Sequence, residues 1–185
     1  MTVSDPALST QYGDPVEGDE LIPDAGVVLD RHAEFACSSE TLWPWIVQLG
    51  KDRAGWYLPG WLEWLVPRRR RALAVVEPRL QDLRPGDVVP DWGPGDPTFT
   101  VVSVDPPRAL VYRSVRPRRR GEPLEFTWAL VVEPLGPSRS RLRLRLRTHS
   151  LGRRFPRLVT LGADLVDRAT VALMVAGLRT RVRIK

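Results

Sequence analysis

Apolar and polar residues alternate from Val27 to Phe35. Val27, Leu29, Ala33 and Phe35 fall on one side, and Asp30, His32 and Glu34 on the other. Period two marks a strand with one buried face; Arg31 breaks it by standing on the apolar side. Ser38 and Ser39 then offer an N-cap, because a hydroxyl accepts from the unpaired amides of a first helical turn. The pattern predicts a helix ending at Gly50, with Pro44 tightening or kinking its early part because proline deletes a backbone bond. A second short helix, Trp61 to Leu65, is stopped by Pro67.

Beyond Ala72 short strands alternate with turns. The pattern predicts strands at Leu73 to Val76, Asp87 to Trp92, Phe99 to Val104, Ala109 to Val115, Leu124 to Glu133 and Ser140 to Ser150, an antiparallel meander. Its clearest member, Arg141 to Arg147, alternates strictly, with three leucines directed inward and four arginines outward. Leu158 to Leu178 reads as one long helix with Leu158, Leu161, Leu165, Ala169, Ala172 and Ala176 on its inward stripe.

Burial is solved for this order by an α+β domain. A curved antiparallel sheet of about seven strands wraps the long C-terminal helix, with two short helices after the first strand. A sheet of that shape closes imperfectly on its helix and leaves a cavity. Residues 1–24, acidic and rich in turn formers, are expected to be a flexible arm, and residues 25–185 a single ligand-binding domain.

Composition narrows the classes. One cysteine, Cys37, cannot pair within the 185-residue chain, so a disulfide framework is excluded. The N-terminus lacks a secretory pattern and no apolar run is of membrane length, so the expected location is the cytoplasm. Net charge is +6, and 26 of the 28 basic residues are arginine. Arginines concentrate at Arg68 to Arg71, at Arg116 with Arg118 to Arg120, and along the last strand. These are either solvated turns and an outer sheet face or an anion-binding surface; peripheral contact with an anionic membrane fits better than nucleic acid.

Chemistry-bearing patterns are sparse. His32, His149 and Cys37 lack metal-ligand spacing, so neither a metal nor a cofactor is expected, and no nucleophile motif accompanies His149. Rings, by contrast, are concentrated: five of the seven tryptophans lie between Cys37 and Trp64. Trp45, Trp56, Tyr57, Trp61 and Trp64, joined by Trp128 from the meander, either line an apolar pocket or pack as core. Tyr57 and Glu63 are the polar groups for orienting a ligand; buried, Glu63 would have its pKa raised and could act as an acid.

The run Ser39-Glu40-Thr41-Leu42-Trp43-Pro44-Trp45-Ile46-Val47-Gln48-Leu49-Gly50, with Ala54-Gly55-Trp56-Tyr57, Leu62-Glu63, Leu83, Gly86-Asp87 and Ser140-Arg141-Leu142, resembles the START-like (SRPBCC) superfamily, in particular its bacterial polyketide cyclase/dehydrase-like members. The resemblance spans about Leu21 to Arg179. It implies the helix-grip fold and a hydrophobic or amphipathic ligand, lipid- or polyketide-like. Where many relatives continue with a serine or aspartate segment, this chain has Leu58-Pro59-Gly60. Members share no catalytic motif, so no catalytic residue carries over. Three functions stand open: a carrier, a cyclase or dehydratase using the same cavity, and an anionic-surface module acting through its arginine-rich face.

Overall fold

The computed structural model describes residues 14–92, 95–118, 122–149 and 156–183, the last without the side chains of 156–159. The expected arm at 1–13, Arg119, Arg120, Ser150 and the Leu158 side chain lie outside them. The elements are β1 (Val27–Phe35), α1 (Ser39–Val47), α2 (Gly60–Glu63), β2 (Val88–Pro90), β3 (Thr98–Asp105), β4 (Ala109–Arg116), β5 (Leu124–Gly136), β6 (Arg139–Thr148) and α3 (Pro156–Arg181). All strand pairs are antiparallel, in the order β1-β6-β5-β4-β3-β2.

Six strands therefore form the described sheet, one fewer than the pattern suggested. Leu73 to Val76 is not a strand. Its backbone is satisfied elsewhere: the Leu73 amide donates to the Ala54 carbonyl at 2.8 Å, Arg181 Nε donates to the Leu73 carbonyl at 2.9 Å, and Gln48 Nε2 donates to the Val75 carbonyl at 3.2 Å. With those groups engaged, no ladder is needed.

Ser38 caps α1 as its position implied, accepting from the Thr41 amide at 3.3 Å. The helix runs through Pro44 and stops at Val47, three residues before Gly50. Gly50 instead closes a tight turn with Gly55, whose amide donates to the Gly50 carbonyl at 2.9 Å. The buried Leu42 and Ile46 of α1 join Leu110, Leu130, Leu142 and Leu144 of the concave sheet face in one core.

The arginines of β6 are not a solvated outer face. Arg143 and Arg145 both engage Asp30, which is 1% exposed on β1. Arg145 and Arg147 also meet Asp19, and Arg139 and Arg141 meet Glu34. Asp19 lies in a single turn of 3-10 helix, Asp19–Leu21, followed by the fully buried Ile22, so residues 14–22 cover the convex face.

The inward face of α3 differs from the predicted stripe. Leu161, Leu165 and Ala169 are exposed. Val171, Met174, Val175 and Leu178 face the core, and Asp164 and Asp167 continue that line toward the N-terminus. The reason is Arg31. It projects from β1 onto the concave face, 2% exposed, and pairs with both aspartates. A buried guanidinium requires opposing charge, and those carboxylates set the rotation of the helix.

The C-terminal half of α3 lies close to the segment before α2. A Cβ built on Gly177 would sit 2.7 Å from the backbone of Tyr57 and Leu58. Alanine is the better helix former, yet Gly177→Ala should destabilise the domain by about 1–3 kcal/mol through overpacking. Thermal unfolding checks this; an unchanged or raised midpoint would mean that the contact relaxes freely.

Candidate functional site

The register brings the cavity floor together. Leu29, Leu146, Trp128, Tyr112 and Val101 stand opposite one another across five strands, in one transverse row on the concave face. The neighbouring row, Arg31, Leu144, Leu130 and Leu110, is filled by the core beneath α1 and by the α3 aspartates. Beyond the reach of α1, the row centred on Trp128 and Tyr112 faces a cavity of about 250 Å³. Asp167, Thr170 and Val171 of α3 form its far wall, with Leu49, Gly50 and Val89 along its sides.

Aromatic rings make most of the lining. Trp128 stacks on Trp56 (centroids 6.2 Å apart, planes at 21°) and on Tyr112 (5.9 Å, 25°), while Phe99 tilts against both Tyr112 and Trp128. Trp92 meets Trp56 edge to face at 5.7 Å. Phe126, two residues before Trp128 on the same strand, completes the wall beneath Arg116, whose guanidinium carbon lies 4.8 Å from its ring centre. Flat faces at these spacings combine apolar area with a weak attraction for cations and ring edges.

Polar groups stand at the margins. Arg116 pairs with Asp91 at the rim. The Trp56 indole N–H is buried without an acceptor, a state that costs about 1–3 kcal/mol unless something bonds it. Burial pushes the Tyr112 phenol up to about 12, so it is a neutral hydroxyl at physiological pH. Burial also lifts the Asp167 carboxyl above the ordinary carboxylate value, a rise that the Asp164 charge reinforces and Arg31 partly offsets. In Asp164, burial acts upward too, but hydrogen bonds from Arg168 and Arg31 win and hold it low.

The residues expected from sequence divide sharply. Trp56 and Trp128 line the cavity. Trp45 and Tyr57 are buried in the core beside it: the Tyr57 hydroxyl donates to the Trp45 carbonyl at 2.9 Å and accepts from Gln48 Nε2 at 3.0 Å. Burial raises the Tyr57 phenol strongly, and Arg181 covers its ring at 4.8 Å. Glu63 pairs with Arg181 and is not among the lining residues. Trp61 and Trp64 stand out from the surface, 70% and 75% exposed.

Sequence reasoning missed Phe99, Tyr112, Phe126, Trp92, Arg116 and Asp167. Phe126 carried a signal, since alternation puts it on the face of Trp128. Tyr112 and Phe99 required cross-strand register, and Asp167 required the rotation of α3.

No protein-family model matches this chain, and no curated protein matches it. Solved structures do. A protein from Mesorhizobium loti aligns with 86% of this chain and 99% of its own at 16% identity, with a TM-score of 0.51. Norcoclaurine synthase from Thalictrum flavum aligns with 95% of this chain and 97% of its own at 14% identity, with a TM-score of 0.50. The architecture is the START-like helix-grip fold. Among the described residues, no helix is long and apolar enough to cross a membrane.

Proposed function

We propose that this domain binds and carries an apolar or amphipathic small molecule in the cavity between its sheet and α3. The observation that carries the reading is the lining: six aromatic side chains around about 250 Å³, with one unpaired indole donor and an arginine at the rim. Such a cavity falls just below the usual range for ligand pockets, which run from roughly 300 Å³ upward. It favours a compact ring-bearing ligand over a long acyl chain. Binding is driven by apolar area removed from water, about 25 cal/mol per Å². Arg116 and the Trp56 N–H give orientation to a ligand with an acidic or carbonyl oxygen.

A second reading, an enzyme of the cyclase or dehydratase kind, is favoured by Asp167. It is a carboxyl on the cavity wall whose affinity for its proton is raised by burial, the direction of shift that general-acid work requires. A carrier returns its ligand unchanged, whereas an enzyme alters it.

Native mass spectrometry of protein purified from its own cell tests both. The expected result is a retained small molecule whose addition in excess quenches tryptophan emission, because Trp56, Trp92 and Trp128 border the site. Recovery of the same mass after prolonged incubation supports carriage, and a changed mass supports chemistry. If neither a native extract nor an aromatic sulfonate dye alters the emission, the cavity reading fails.

A further inference from the structure

The helix α2 is inside out. Its carboxylate, Glu63, turns inward to the buried Arg181, while Trp61 and Trp64 project into solvent and Leu65 beside them is 64% exposed. Single exposed apolar residues are common; two indoles and a leucine on one short segment form a patch that calls for a partner. Arg71 holds this arrangement by donating from Nε to the Val66 carbonyl at 2.9 Å and from Nη2 to the Trp64 carbonyl at 3.1 Å. Arg68, Arg69 and Arg70, all exposed, follow the rings within a few residues.

Charge singles out the same place. Each β6 arginine has an ion-pair partner among Asp30, Asp19 and Glu34, and Arg113 and Arg116 pair with Glu125 and Asp91. Among the described residues, Arg68, Arg69 and Arg70 have no ion-pair partner. Residues 51–71 hold six basic side chains against two acidic ones, one of which is the inward Glu63. Lys51, Arg53, Arg69, Arg70 and Arg71 line a depression of about 620 Å³ that shares Trp56 and Trp92 with the aromatic cavity.

We infer that this face docks on an anionic lipid bilayer. Trp61, Trp64 and Leu65 enter the headgroup region, where indoles partition favourably. Arg68, Arg69 and Arg70 meet lipid phosphates, and the shared rings Trp56 and Trp92 place the cavity next to the membrane. Nucleic acid fits less well, because stacking on bases while tracking phosphates needs rings interleaved with basic groups. Here the two most exposed indoles, Trp61 and Trp64, lie outside the lining of the basic depression, whose rings are Trp56 and Trp92. The inference goes beyond ligand carriage and does not require it.

Sedimentation with vesicles tests it, using phosphatidylcholine alone or with about 30 mol % phosphatidylglycerol. The protein should sediment with the mixed vesicles only, and should be released as salt rises from about 0.05 to 0.5 M. Arg69→Gln/Arg70→Gln should weaken binding roughly 25-fold, about fivefold for each arginine. Trp61→Ser/Trp64→Ser should weaken it by about tenfold or more, with dye uptake by the cavity unchanged in both variants. No sedimentation with mixed vesicles, binding that survives loss of both tryptophans, or tighter binding to a single-stranded oligonucleotide would each overturn the inference. Should the variants misfold, brominated phosphatidylcholine in the mixed vesicles decides with the unaltered protein. Quenched tryptophan emission supports insertion, and unquenched emission refutes it.

Discussion

Replacing Arg31 by methionine should destabilise the domain by about 3–5 kcal/mol, the range for removing one partner of a buried ion pair. Methionine keeps the apolar stem over the sheet but leaves Asp164 and Asp167 facing each other across a half-buried gap. The loss should depend on pH. Without Arg31, burial and the Asp164 charge both still oppose ionisation of Asp167, so its pKa in the folded variant rises further above the unfolded value. A raised folded-state pKa contributes stability that is fully present below the unfolded value and is lost as pH rises through the folded one. The deficit relative to the parent protein should therefore be smaller near pH 5 than near pH 8, by urea denaturation at both. Asp167→Asn in the Arg31→Met background should recover part of it. Equal deficits at the two pH values and no recovery would show that Arg31 matters only through its stem.

That one residue also marks how far the sequence could be read. Strand periodicity gave β1, β5 and β6, and the inward faces of β1 and β6, because a one-residue slip would invert every side chain. It flagged Arg31 as an exception without naming its partners, since those lie 133 and 136 positions away on α3. The helix stripe failed for the same reason. Leu161 and Leu165 are the more apolar choice, but the charge on Arg31 outweighed their burial and turned the aspartates inward.

The aromatic cluster was legible as a concentration of rings and not as a wall. Local spacing placed Trp45, Tyr57, Trp61 and Trp64 close in sequence, yet tertiary packing sends two inward and two outward. Tyr57 goes in because Gln48 and the Trp45 carbonyl satisfy its hydroxyl. Trp61 and Trp64 stay out because the pairing of Glu63 with Arg181 fixes the other side of α2 against the core. The cavity itself is assembled by register: Tyr112 comes from β4, Trp128 from β5 and Leu146 from β6.

Filling the cavity from the helix side should weaken ligand uptake strongly without unfolding the domain. Val171 is almost fully buried and lies on the α3 wall of the aromatic cavity. Val171→Trp directs an indole into a space that the surrounding side chains leave empty, so the overpacking cost, about 1–3 kcal/mol in a filled core, should fall at or below the lower end. Uptake of an aromatic sulfonate dye should weaken by tenfold or more, at least about 1.4 kcal/mol. Leu161→Trp, on the exposed face of the same helix, is the matched control and should leave uptake unchanged. The pair separates occlusion from a general effect of an added ring on α3. If Val171→Trp binds dye as the parent does while remaining folded, the ligand does not occupy the space beside Trp128. If it loses several kcal/mol of stability, that space was already filled, and the argument for a carrier would have to begin from another part of the surface.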